Sequence, residues 1–96
     1  MPKALWVTTY RKVVDATKLA EYGKLAGPAL PTGGGLFLAR GPALHAYEEG
    51  VKERVVVIQF DSVEAAVAAH DGPGYQAALK ALGDGAIRDV RIVEAA

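Results

Sequence analysis

Seven consecutive residues, Arg54 to Phe60 (RVVVIQF), constrain this chain more than any other feature. Five of the seven are Val, Ile or Phe, and the run hardly alternates between apolar and polar. A strand wetted on one side alternates with a period of two, because successive side chains point to opposite faces of a sheet. The run therefore predicts a central strand covered on both faces, and the remaining residues have to supply both covers.

The flanking segments read as follows. Ala4 to Tyr10 (ALWVTTY) is dense in β-formers and predicts a first strand, ended by Arg11 and Lys12. Asp15 is placed to cap a helix whose apolar positions Leu19, Tyr22, Ala26 and Ala29 fall at helical spacing, with Gly27 and Pro28 expected to break or bend it. Gly33 to Gly35 then turn the chain into a second strand, Leu36 to Arg40 (LFLAR). That strand is expected to resume through Ala43 to Tyr47 as a bulged or bent edge. Beyond the central run, Ser62 caps a helix with the stripe Val63, Ala66, Val67 and His70. Pro73 suits the first turn of another helix with Tyr75, Ala78, Leu79 and Leu82 on one face, and Gly83 or Gly85 should stop it. Ala86 to Glu94 (AIRDVRIVE) reads as the last strand.

The order β, α, β, β, α(α), β is a split βαβ pattern. It predicts an α+β, ferredoxin-like βαββαβ sandwich spanning residues 1–96 as one domain, with a four-stranded antiparallel sheet. Right-handed crossovers put the first and third strands at the centre and the helices on one face. The other face is left bare, yet Gln59 is the only polar residue inside the central run and Leu36 to Ala39 has none. A few hundred Å² of aliphatic surface, at about 25 cal/mol per Å², represents several kcal/mol that a monomer would forgo. The expected cover is a second copy packed sheet to sheet, forming a homodimeric α/β barrel.

Charge and composition exclude several classes. Eleven basic and eleven acidic residues cancel, so no bulk field draws in nucleic acid or anionic lipid. The chain has no cysteine, hence no disulfide, thiolate nucleophile or iron–sulfur site. His45 and His70 have no partner histidine at i, i+4, and Gly33 to Gly35 leads into a strand with no lysine behind it, so neither metal nor phosphate-loop cofactor is expected. The run Ala4 to Val7 is too short for a signal core or a membrane span, which makes the cytoplasm the expected location. RNA recognition on a fold of this order needs aromatic and basic residues on the third strand, where Val55, Val56, Val57 and Ile58 stand instead.

Four segments together carry a family resemblance: AEYGKLAGPAL (Ala20 to Leu30), GGGLFLARG (Gly33 to Gly41), ERVVVIQFDS (Glu53 to Ser62) and GYQAAL (Gly74 to Leu79). With them the chain resembles the uncharacterised family known as domain of unknown function 1330, over nearly its whole length. The resemblance implies a dimeric α/β barrel in which each ferredoxin-like protomer keeps a small cleft. It does not select a chemistry, because the architecture also serves cofactor-independent monooxygenases, muconolactone isomerases and haem-dependent enzymes. Gln59 stands where the family pattern has a glutamate, and an amide cannot act as a general base.

Five residues are candidates for ligand contact. Arg40 ends an aliphatic strand in step with Leu36 and Leu38, and a guanidinium there can hold a carboxylate or enolate with two hydrogen bonds. Its plainer role is an ion pair with Glu48, Glu49 or Asp89. Gln59 is either a ligand hydrogen-bonder or a satisfied interior amide. His70 follows the apolar stripe of its helix near the C-terminal end, where packing or capping competes with proton transfer, and Asp71 stands beside it. Tyr22 and Tyr75 lie on apolar helical faces, with their rings suited to the core and their hydroxyls to a rim. Trp6, Thr8 and Tyr10 share one strand parity and can line a cleft if that side faces inward. Two functions fit these residues: a small-molecule-binding protein with cofactor-free acid/base chemistry, or a non-catalytic dimeric metabolite-binding or scaffold module.

Overall fold

The computed structural model describes residues 2–96 and holds seven elements: β1 (Ala4–Val13), α1 (Ala16–Thr32), β2 (Leu36–Pro42), β3 (Arg54–Phe60), α2 (Val63–Asp71), α3 (Pro73–Leu82) and β4 (Ala86–Glu94). The four strands form one antiparallel sheet in the order β2-β3-β1-β4, so the first and third strands are central as expected. This is a ferredoxin-like βαββαβ topology with the second helical segment divided at Gly72.

Local sequence explains the element ends. The Asp15 carboxylate accepts from the amides of Thr17 and Lys18, and the Ser62 hydroxyl accepts from Ala65, so both helices open on side-chain caps. Pro73 occupies the start of α3, where its missing amide hydrogen is not needed. Gly35 follows α1 so closely that a Cβ there would lie 2.9 Å from Ile58, from the ring of Phe60 and from the Leu30 carbonyl oxygen. Only glycine lets β2 start against the core at that point.

Three expectations are corrected. Strand β1 does not end at Arg11 and Lys12 but continues, past a register shift between Tyr10 and Lys12, to Val13. Helix α1 does not end at Gly27 and Pro28 but runs through both Pro28 and Pro31 to Thr32. Both prolines are exposed, while Ala26 and Leu30 on the opposite side are buried, so core packing holds the helix together where its backbone ladder is interrupted on the wet side. Strand β2 does not resume after Pro42. Residues 43–53 form a loop closed by the Ala43 amide donating to the Glu53 carbonyl, with Glu48 in the left-handed region at φ 55°.

The core lies between the sheet and the helices. Trp6, Ile58, Phe60 and Tyr75 are its largest fully buried side chains. Trp6 stacks on Phe60 at 6.1 Å and meets Tyr75 edge to face at 5.0 Å. Strand parity assigns Ala4, Trp6, Thr8 and Tyr10 to this covered face. The alternate residues Leu5 and Val7, with Val55 and Val57 paired across from Thr9 and Val7, form the helix-free face. Leu36 and Val93 extend that apolar strip and are exposed in the single chain.

Candidate ligand-binding site

A cavity of about 190 Å³ separates α1 from the covered face of the sheet. Its floor is three rows of cross-strand neighbours. Phe37, Ile58 and Trp6 make an apolar row. Arg40, Val56 and Thr8 make the next. Arg54, Tyr10 and Arg88 make the last, two residues further along their strands. The floor thus runs from oily to cationic along one axis. Helix α1 roofs it with Leu19, Tyr22, Ala26 and Leu30, and with two glycines at i, i+4, Gly23 and Gly27. Beyond its chain neighbours and the helix's own backbone, a Cβ on either glycine would meet nothing within 4 Å, so no packing against the rest of the chain explains them.

Arg88 organises the polar end. Its Nη1 donates to the Tyr22 hydroxyl at 3.0 Å and, more weakly, to Tyr10 at 3.4 Å, while Nη2 donates to Tyr75 at 3.2 Å. Its guanidinium lies 4.7 Å from the centre of the Tyr22 ring. The hydroxyls of Tyr22 and Tyr75 are themselves 2.8 Å apart. Burial first, then the neighbouring Tyr75, pushes the Tyr22 phenol well above its ordinary value, with Arg88 opposing. Burial works against the charge on Arg88, but the two phenol oxygens outweigh it and hold the guanidinium above its ordinary value. At neutral pH Tyr22 is a neutral phenol beside the Arg88 cation.

The wall is rich in donors and poor in acceptors. Arg40, Arg54 and Arg88 line it, and no aspartate or glutamate does. Among the described residues none of the three arginines is paired with a carboxylate. Asp89, a candidate partner for Arg40, is held by Arg91 through two hydrogen bonds. Arg40 instead lies 4.3 Å over the ring of Phe37.

The structure brings together Arg40, Tyr22 and Tyr75 of the five sequence candidates and separates the other two. Arg40 and Tyr22 line the cavity, and Tyr75 supports it from behind. Arg40 reaches it for a reason opposite to the one expected. A bulge at Leu38 shifts the register of β2, so Arg40 shares a face with Phe37 and not with Leu36. Gln59 is on the helix-free face, paired with Leu5 and Leu36, because Ile58 and Phe60 take the covered side of β3. His70 is half-exposed in a separate, shallower hollow with Val67, Val90 and Ile92, where Nδ1 is 2.9 Å from the Asp71 carboxylate. Its ring packs on Trp6 at 5.6 Å and on Tyr75 at 5.3 Å, which is the packing role. Trp6, Thr8 and Tyr10 all face the cavity. Arg54 and Arg88 were missed, although each is a charge on the apolar parity of its strand, in step with Val56 and Ile58 and with Val90 and Ile92.

No group of three or more potential metal ligands occurs among the described residues, and no helix there is long and apolar enough to cross a membrane. A four-stranded antiparallel sheet with its helices on one face defines an α+β protein of ferredoxin-like fold, a fold shared with solved structures. Within that class the chain belongs to the family described as Domain of unknown function (DUF1330), which matches residues 3–96. No curated protein matches it. Among solved structures, RPA0582, a protein of unknown function from Rhodopseudomonas palustris, superposes with a TM-score of 0.76 at 19% identity, covering 99% of this chain and 83% of that one. A dimeric ferredoxin-like protein of unknown function from Thermobifida fusca gives 0.68 at 18% identity, with 98% and 92% covered. SnoaB, a cofactor-independent oxygenase from Streptomyces nogalater, gives 0.66 at 13% identity, with 100% and 95% covered. At these identities the likeness is one of fold.

Proposed function

We propose that the protein is a homodimer in which each protomer binds a small organic anion in the cavity between α1 and the sheet. The observation that carries this reading is the wall itself: three guanidiniums without a carboxylate partner, in a chain whose net charge is zero. Cations so grouped repel one another, and an anion supplied from outside relieves that repulsion. Dimerisation rests on the helix-free face, where Leu36 and Val93 stand exposed beside the valines of β3, and on the dimeric state of the Thermobifida fusca relative in fold.

Binding fits the site better than acid/base turnover. The wall holds no His, Asp, Glu, Lys or Cys, and its phenol Tyr22 is moved away from neutrality. A general base works best with a pKa near the operating pH. Any reaction in the cavity would draw on the reactivity of the bound molecule, with Tyr22 and the arginines holding negative charge in place.

Thermal unfolding with a panel of small carboxylates and their methyl esters tests the reading. A ligand at a hundred times its Kd that avoids the unfolded chain stabilises by about 2.7 kcal/mol. The acids should raise Tm and the esters should not. Equal response to both would remove the anion from the proposal.

A further inference from the structure

The geometry points to a narrower ligand class, which rests on the anion-binding reading above: a carboxylate carried on a single ring, its ring over Ile58 and Phe37 and its charge at Arg88. Three independent features set this class.

The first is polarity along the axis. The Phe37, Ile58 and Trp6 row offers no hydrogen-bonding partner, since the one polar atom there, Trp6 Nε1, donates to Thr8 Oγ1 at 2.8 Å. The opposite end holds Arg54, Tyr10 and Arg88. A ligand filling the cavity is therefore apolar at one end and acidic at the other.

The second is a count of protons. Arg88 donates to both Tyr22 and Tyr75, so neither phenol can return its proton to it. Only one phenolic proton can occupy the 2.8 Å line between the two oxygens. If Tyr22 gave that proton, the hydrogen of Tyr75, which is 1% exposed, would be stranded in the core. With Tyr75 as donor, the Tyr22 hydrogen is released into the cavity that Tyr22 lines. Thr8 Oγ1 and the Tyr10 hydroxyl likewise accept hydrogen bonds, and no side-chain or backbone acceptor takes their protons among the described residues. These protons suit a ligand that brings acceptors, and a carboxylate brings two oxygens and a charge.

The third is size. A buried apolar cavity of ~150 Å³ takes benzene, so about 190 Å³ accommodates one six-membered ring and a small substituent. A second fused ring needs more volume than this. The open space at Gly23 and Gly27 belongs to this volume: a side chain at Gly23 would enter it without meeting another part of the chain at Cβ.

The test is isothermal titration of the full-length protein with benzoate, benzyl alcohol, acetate and 2-naphthoate, repeated on Gly23→Leu and Gly23→Ala. Benzoate is expected to bind at least tenfold more tightly than the other three. Gly23→Leu should lose at least tenfold in benzoate affinity with its circular dichroism unchanged. Gly23→Ala, which keeps the fold whatever leucine does, should lose severalfold. If acetate or 2-naphthoate equals benzoate, the single-ring class is wrong and the anion reading stands. If benzyl alcohol equals benzoate, or none of the four binds, both fall. Benzoate affinity unchanged in both variants would place the site elsewhere and overturn the inference.

Discussion

The hydroxyls of Tyr22 on α1 and Tyr75 on α3 approach to 2.8 Å and share one guanidinium, Arg88 of β4. This contact joins both helices to an edge strand through polar atoms inside the core. Removing one oxygen leaves a partly buried charge short of an acceptor. Tyr75→Phe should therefore lower the unfolding free energy by about 1–3 kcal/mol, the usual penalty for an unpaired buried polar group. In a double-mutant cycle with Tyr22→Phe, the two substitutions should be non-additive by ~0.5 kcal/mol or more. Additive urea-denaturation midpoints would mean that the contact carries no coupling.

The same contact sets an alkaline limit. Tyr22 has a folded-state pKa above the unfolded value of 10.0, so the unfolded chain releases its proton first as pH rises. The stability from the buried neutral phenol is thus fully present below pH 10 and is lost as pH climbs from there toward the folded value. Denaturation at pH 8 and pH 11 should show a drop in the wild type that is smaller in Tyr22→Phe. An equal drop in both would clear Tyr22 of the effect.

Gly23 lies inside a helix and leaves open space, so Gly23→Ala should stabilise the unliganded protein by up to ~1 kcal/mol through helix propensity alone. For a chain of this size that is a rise in Tm of roughly 4–8 °C. Gly27→Ala should gain less, since a Cβ there meets the ring of Pro28 in helical backbone. Calorimetry ranks the two, and a larger gain at Gly27 would contradict the steric account.

Val57 is at the centre of the helix-free face, between Val7 and Ala39. Sedimentation should find the wild type dimeric at micromolar concentration. Val57→Asp should sediment as a monomer, because burying an unpaired carboxylate between two sheets costs several kcal/mol. A monomeric wild type would dispose of the dimer.

Much of the fold was legible because burial repeats with the period of each element. The spans Arg54–Phe60 and Ala86–Glu94 agree with the sequence reading to the residue. Helix α1 was read too short because Pro28 is a local signal and the anchorage of Ala26 and Leu30 is tertiary. The site was legible in part. Tyr22, Tyr75 and Arg40 were named, but the reason given for Arg40 assumed an unbroken pleat, and nothing local announces an extra residue at Leu38. Gln59 drew notice as the lone polar group in an oily strand, when the more telling signs were Arg54 and Arg88, charges in step with the buried side.

The irregularity at Leu38 has an evolutionary corollary. Deleting that single codon would restore simple alternation and leave Arg40 opposite Val56, still on the covered side, because Leu38 is the residue without a partner on β3. The guanidinium would keep its place beside the cavity, and Ala39 would stay opposite Val57 on the helix-free face. In such a lineage the loss of one codon would move no charge from one side of the sheet to the other.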